Sequence, residues 1–159
     1  MDDPNFFWPD GFAPGVAKLY VRNERTMRAP IDAVWAWLIS APRWNAWFSN
    51  ATKVRLPDGA TTLAAGMHFT WAQSGVWLRS DVREFQPHKR LAWAAQSPLI
   101  KAYHTWDLQS DGDGTRVITD ETQNGLMPTL VAPILKPRML AVHDKWLESL
   151  ERQAASGLP

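Results

Sequence analysis

The chain has 159 residues, 45% hydrophobic and 21% charged, with a formal net charge of +1, the profile of one compact domain of ordinary globular composition. Its 17 Lys and Arg against 16 Asp and Glu leave no dense positive field, so no nucleic-acid partner is expected. The absence of cysteine excludes disulfides, thiolate metal sites and cysteine nucleophiles.

At the N-terminus, Met-Asp-Asp-Pro offers two acids and no basic region, so a secretory signal is not expected and a cytoplasmic location is. Residues 1–17 hold three prolines, two glycines and the aromatics Phe6, Phe7, Trp8 and Phe12. They show neither period 2 nor period 3.6 and read as an irregular arm that packs on the domain and covers one edge of it. The domain proper runs over 18–159. Residues 18–28 read as a first strand. Ala29-Pro30-Ile31-Asp32 opens a helix with Val34, Trp35 and Leu38 on its apolar face, its Pro near the first turn where a missing N–H costs little. Ser40-Ala41-Pro42 ends it, and residues 42–48 read as a second short helix carrying Trp44, Trp47 and Phe48.

Six strands follow, near 51–56, 66–73, 76–85, 89–97, 100–110 and 115–124. The turns between them, among them Pro57-Asp58-Gly59, Ser74-Gly75, Pro87-His88 and Asp111-Gly112-Asp113-Gly114, have turn chemistry. Short connections favour antiparallel neighbours. After Gly125 the period becomes helical: Leu140, His143, Leu147 and Leu150 form a stripe widened by Met139 and Trp146. Pro133 and Pro137 predict a break, hence a helical piece near 127–135 and a main helix over 137–155. The apolar run around 130–135, interrupted by Pro133, is too short to span a bilayer. The class is α+β: seven antiparallel strands forming a curved sheet around a long C-terminal helix, with two short helices between strands 1 and 2.

Strand alternation assigns faces. Phe69 and Trp71 point inward on one strand, Leu78, Ser80 and Val82 on the next, then Leu91 and Trp93, then Ala102, His104, Trp106 and Leu108, and finally Val117, Thr119, Glu121 and Gln123. The set is apolar except for Ser80, His104, Thr119, Glu121 and Gln123, with His143 arriving from the helix. Apolar walls with a few convergent polar groups suit a small-molecule site. The expected ligand-binding residues are Phe69, Trp71, Leu78, Ser80 and Trp93, with Trp106, Thr119, Gln123, Met139 and His143. The alternative is that the polar groups satisfy one another in a filled core. Ten tryptophans beside two tyrosines serve either arrangement.

No metal or cofactor is expected: the histidines, His68, His88, His104 and His143, are not spaced as His-x-x-x-His, and a zinc site needs distant residues to converge. There is no phosphate loop and no nucleophile elbow. What remains is acid/base chemistry. Glu121 is the candidate catalytic group, supported by His104, on sequential strands that both face inward. The apolar surroundings are expected to raise the carboxyl's pKa and the imidazole to oppose that shift.

Glu24-Arg25-Thr26-Met27-Arg28-Ala29-Pro30, Val82-Arg83-Glu84-Phe85-Gln86-Pro87, Arg90-Leu91-Ala92-Trp93 and Trp146-Leu147-Glu148-Ser149-Leu150 resemble segments of the SRPBCC superfamily. That superfamily includes START domains, birch-pollen allergens and polyketide cyclase/dehydratase-like proteins. The resemblance covers residues 18–155 and implies a helix-grip fold that binds a hydrophobic or aromatic small molecule between sheet and helix. It implies either cyclase/dehydratase chemistry without a metal or a non-catalytic lipid or isoprenoid carrier. The Glu-Arg…Ala-Pro start is also similar to the Hsp90-activator-homology branch, which implies an interaction module. A monomer or homodimer is expected.

Overall fold

The structure is a computed structural model and describes residues 7–159; Met1-Asp2-Asp3-Pro4 and Phe6 lie outside the described residues. Seven strands form one antiparallel sheet: β1 (Leu19–Met27), β2 (Ala51–Arg55), β3 (His68–Gln73), β4 (Val76–Gln86), β5 (Arg90–Gln96), β6 (Lys101–Asp111) and β7 (Gly114–Asn124), in the order β1-β7-β6-β5-β4-β3-β2. Strands β2 to β7 meander, each pairing with the next in sequence, and β1 joins the sheet beside β7. Helices α1 (Ile31–Ile39) and α2 (Trp44–Trp47) separate β1 from β2, and α3 (Leu126–Ala155) ends the chain. This is the helix-grip arrangement expected from the sequence.

A register shift between Val82 and Glu84 marks a bulge, which inserts a residue and bends the strand. Beyond it, Glu84 faces outward and Phe85 inward, edge-on to Trp35 of α1 at 5.2 Å between ring centroids. The inner face buries one aromatic and aliphatic core, with Trp44, Trp71, Trp93, Trp106 and Trp146 its largest enclosed side chains.

The outer face departs from simple alternation. Tyr103, Thr105, Asp120 and Thr122 point outward yet are buried. Arg90 forks between Glu84 and Asp107, and Tyr103 donates its hydroxyl to Glu84 at 2.7 Å. Tyr20 donates to Asp120 at 2.6 Å. The arm covers part of this layer: Trp8 and Phe12 pack on Tyr103, and Asn124 Nδ2 donates to the Gly11 carbonyl. Trp8 to Phe12 thus lie over β6 on the outer face of the sheet.

As expected, α3 consists of two helical pieces, but they meet at a kink at Val131 (φ −130°, ψ 23°), two residues before Pro133, rather than between 135 and 137. Proline removes a backbone donor and crowds the preceding turn, which kinks a helix rather than ending it when tertiary contacts hold both halves. The second half is tied to β1: Asn23 Nδ2 donates to the Leu140 carbonyl and to Asp144, and Arg25 and the Arg28 N–H both donate to Glu151. The stretch on either side of the kink, with Pro128 before it and Pro133 and Pro137 after it, presents Leu126, Leu130 and Ile134 to solvent. No helix among the described residues is long and apolar enough to cross a membrane.

Candidate functional site

Strands β6 and β7 set His104 opposite Glu121 and Trp106 opposite Thr119. Facing side chains in an antiparallel pair start about 4.5–5.5 Å apart at Cβ, so register alone brings imidazole to carboxylate. His104 Nδ1 lies 3.4 Å from Glu121 Oε2. From the helix, His143 Nε2 donates to the same oxygen at 3.0 Å. Gln123, two residues along the strand and hence on the same face, donates from Nε2 to Glu121 Oε1 at 2.6 Å. His104 Nε2 hydrogen-bonds Thr119 Oγ1 at 2.8 Å. The two imidazoles lie 4.8 Å apart and 9° from parallel. None of His104, Glu121 and His143 is more than 3% exposed.

Aromatic rings close around this cluster. Trp93, Trp106 and Trp146 lie 4.8, 5.2 and 5.7 Å from the His104 ring. In that apolar shell, burial pushes the His104 imidazolium pKa down, more than the nearby carboxylate raises it, so the ring is neutral near pH 7. Burial also pushes the Glu121 carboxyl up, but the adjacent imidazoles and the hydrogen bonds from His143 and Gln123 outweigh it, and the net shift is downward. Both opposed effects expected from the sequence are present, and the imidazole charge together with the hydrogen bonds outweighs desolvation. A buried carboxylate held ionised is an acceptor first.

Four enclosed polar atoms in this core have no hydrogen-bond partner: His143 Nδ1, Gln123 Oε1, Trp106 Nε1 and Trp146 Nε1. Each such group costs about 1–3 kcal/mol, so the core carries an unmet demand for polar contacts beside a charged cluster.

The residues expected to form the site thus divide. His104, Thr119, Glu121, Gln123 and His143 converge, walled by Trp93 and Trp106. Phe69 and Trp71 extend the aromatic packing through Trp44 and Trp146. Trp71, Trp93 and Trp106 have no accessible surface, so no water-sized space borders those rings. Ser80 is spent internally, its Oγ accepting from Trp71 Nε1 at 3.0 Å. Met139 is half-buried, one helical turn before His143. Leu78 borders an open groove of about 570 Å³ lined with Trp77, Arg79, Gln96 and Pro98, where the other expected residues are absent. Sequence reasoning did not assign Trp44 and Trp146 to the site. Trp146 was findable, because it follows His143 by three residues on the same helical stripe.

Residues 18–158 match the family described as polyketide cyclase / dehydrase and lipid transport. A search of curated proteins finds no match. Among solved structures, the Helicobacter pylori protein jhp0584 superposes with a TM-score of 0.87 at 24% identity, covering 97% of this chain and 98% of that one. DynU16, from the dynemicin biosynthetic locus, gives 0.65 at 19% identity, covering 88% of this chain and 48% of its own. Ara h 8.0201 gives 0.66 at 9% identity, covering 87% and 98%. At these identities the likeness is one of fold.

Proposed function

Because the chain belongs to the polyketide cyclase / dehydrase and lipid transport family of the SRPBCC superfamily, we propose that it binds a hydrophobic, oxygen-bearing aromatic molecule between the sheet and α3. The polar end of that molecule meets Glu121, Gln123 and His143. One observation carries this: an ionised carboxylate and four unpartnered polar atoms lie inside an aromatic core. A core built only for stability has no use for either, since apolar replacement of buried charge is often neutral or stabilising. Glu121 suits a phenol or enol hydroxyl as acceptor, and the Trp106 and Trp146 Nε1–H groups suit a ligand oxygen as donors. Entry runs past the N-terminal end of α3 around its kink, where the break at Val131 and the missing N–H groups of Pro133 and Pro137 lower the cost of opening. The exposed Leu126, Leu130 and Ile134 give an apolar molecule its first contact.

Calorimetric titration with 2-naphthol and its methyl ether tests this. A hydrogen bond to a charged group is worth about 1.5–3 kcal/mol, so the ether should bind at least about tenfold more weakly. Glu121→Gln should erase the difference. Equal affinities of the two compounds for the native protein, or no binding of either, would refute the site.

A second reading has its own support. The His143–Glu121 pair, at 3.0 Å, can take a proton from carbon beside a carbonyl and return one to oxygen, as cyclisation or dehydration of a polyketone requires. Conversion of an aromatic polyketone by the native protein, falling on the order of 10²–10⁴-fold in Glu121→Gln, distinguishes the enzyme from a carrier. Binding without conversion leaves the carrier.

A further inference from the structure

We propose that His104, Glu121 and His143 form a binding site for a first-row divalent cation of the zinc type, held by His104 Nδ1, Glu121 Oε2 and His143 Nε2. No local spacing announces this site. The sheet register supplies two of the residues and the docked helix the third, which is the convergence of distant residues that a cysteine-free site requires.

Three features carry it. The first is distance. Tetrahedral ligands at zinc–nitrogen and zinc–oxygen lengths near 2.0–2.1 Å stand about 3.3–3.4 Å apart, and Glu121 Oε2 lies 3.4 Å from His104 Nδ1 and 3.0 Å from His143 Nε2. One ligand atom from each of the three residues lies within 4.8 Å of the others, so the two pairs made with Glu121 already stand near the spacing a bound ion requires and the two imidazoles must draw together by about 1 Å to share it. The second is outer support. Metal-binding imidazoles and carboxylates are oriented by hydrogen bonds to the atom that does not bind. Here His104 Nε2 is engaged by Thr119 Oγ1 and Glu121 Oε1 by Gln123 Nε2, leaving Nδ1 and Oε2 turned to the centre. The third is the freedom of His143. Its Nδ1 has no partner, so that nitrogen can carry the ring proton, and the Nε2 that now faces Glu121 as N–H then presents a lone pair to the ion. The only bond given up is the one to Glu121, and the cation replaces it.

Two imidazoles and one carboxylate match the ligand set of three-coordinate protein zinc sites, with a fourth position for a water or a ligand oxygen. The inference goes beyond the ligand-binding reading and does not need it, because the cation is measured with no organic molecule present.

The ions to test are Zn²⁺ and Co²⁺, supplied during expression or refolding because the centre is enclosed. One zinc per chain is expected after exhaustive dialysis, and X-ray absorption at the zinc edge should count two imidazoles. Cobalt should give the intense visible bands of a tetrahedral ion. Two exposed pairs compete for surface metal, His68 with Asp81 at 2.5 Å and His88 with Asp32 at 3.6 Å. The double change His68→Asn with His88→Asn should leave stoichiometry intact. Glu121→Gln and His143→Asn should each reduce retained zinc at least tenfold, and Thr119→Val, which keeps all three ligands, should weaken affinity by about 10–100-fold. Folded native protein that takes up no stoichiometric metal overturns the proposal. So does zinc that leaves with the His68 and His88 changes or survives Glu121→Gln. Should a buried variant fail to fold, the zinc-edge spectrum of native protein decides, and fewer than two imidazoles refutes the site.

Discussion

If the His–Glu–His cluster serves binding rather than folding, removing it piecemeal and removing it whole must have opposite effects on stability. Glu121→Leu alone strands the Nε2–H of His143 and the Nε2 amide of Gln123, whose shared acceptor disappears. Unpartnered groups cost about 1–3 kcal/mol each and do not simply add. The expected loss is about 3–5 kcal/mol, the range for breaking one side of a buried ion pair. Against a typical total of about 5–15 kcal/mol, that variant is marginal. Now replace the cluster together, with Thr119→Val, Glu121→Leu, His104→Phe and His143→Leu. Only the Gln123 amide is then orphaned, and at 9% exposure it can turn to solvent. That protein should equal the native one or exceed it by up to about 4 kcal/mol. Urea unfolding at pH 7 in the presence of chelator, followed by tryptophan fluorescence, measures both through the shift in midpoint at constant slope. A fourfold variant less stable than Glu121→Leu would show that the cluster holds the fold together, and the functional reasoning would fail with it.

The chain has two tyrosines, Tyr103 buried and Tyr20 half-buried, each hydrogen-bonded to a carboxylate. Burial and hydrogen bonding to Asp120 raise Tyr20 to about 12, and burial with Glu84 raises Tyr103 further. A raised folded pKa gives stability that is complete below the unfolded value of about 10 and lost as pH climbs through the folded one. Ultraviolet titration should therefore show no phenolate at pH 10 in folded protein; half the signal appearing there would refute the packing of one ring. Gly125, between β7 and α3, has φ +113° and ψ −174°, a region open to glycine alone and worth about 1–3 kcal/mol of strain for other residues. A Cβ there would also stand 2.6 Å from the Leu99 carbonyl oxygen. Gly125→Ala should lower the melting temperature by several degrees, and an unchanged one would mean that the strand-to-helix turn is drawn wrongly.

Local signals carried the architecture, since they depend on neighbours within a few residues. Period 2 between Gly-, Pro- and Asp-rich turns marked the strands, and a 3.6-residue stripe marked α3 from His143 onward. Alternation alone placed His104, Trp106, Thr119, Glu121 and Gln123 on one face, and sequential strands placed His104 beside Glu121. Alternation failed where burial came from elsewhere: nothing near Tyr103 or Asp120 announces that an arm a hundred residues away, or the Tyr20 hydroxyl, will cover them. The prolines of α3 signalled a break but not its outcome, because whether a helix kinks or stops depends on the contacts holding its two halves. The two opposed effects on Glu121 were legible, but which of them wins was not, since it turns on the distances of His104, His143 and Gln123 from the carboxylate. His143 shows the division most plainly. Its sequence position put it on the helix stripe, but the angle at which α3 crosses the sheet decided whether Nε2 met solvent, another side chain or the carboxylate of Glu121, and only packing summed over the whole core sets that angle.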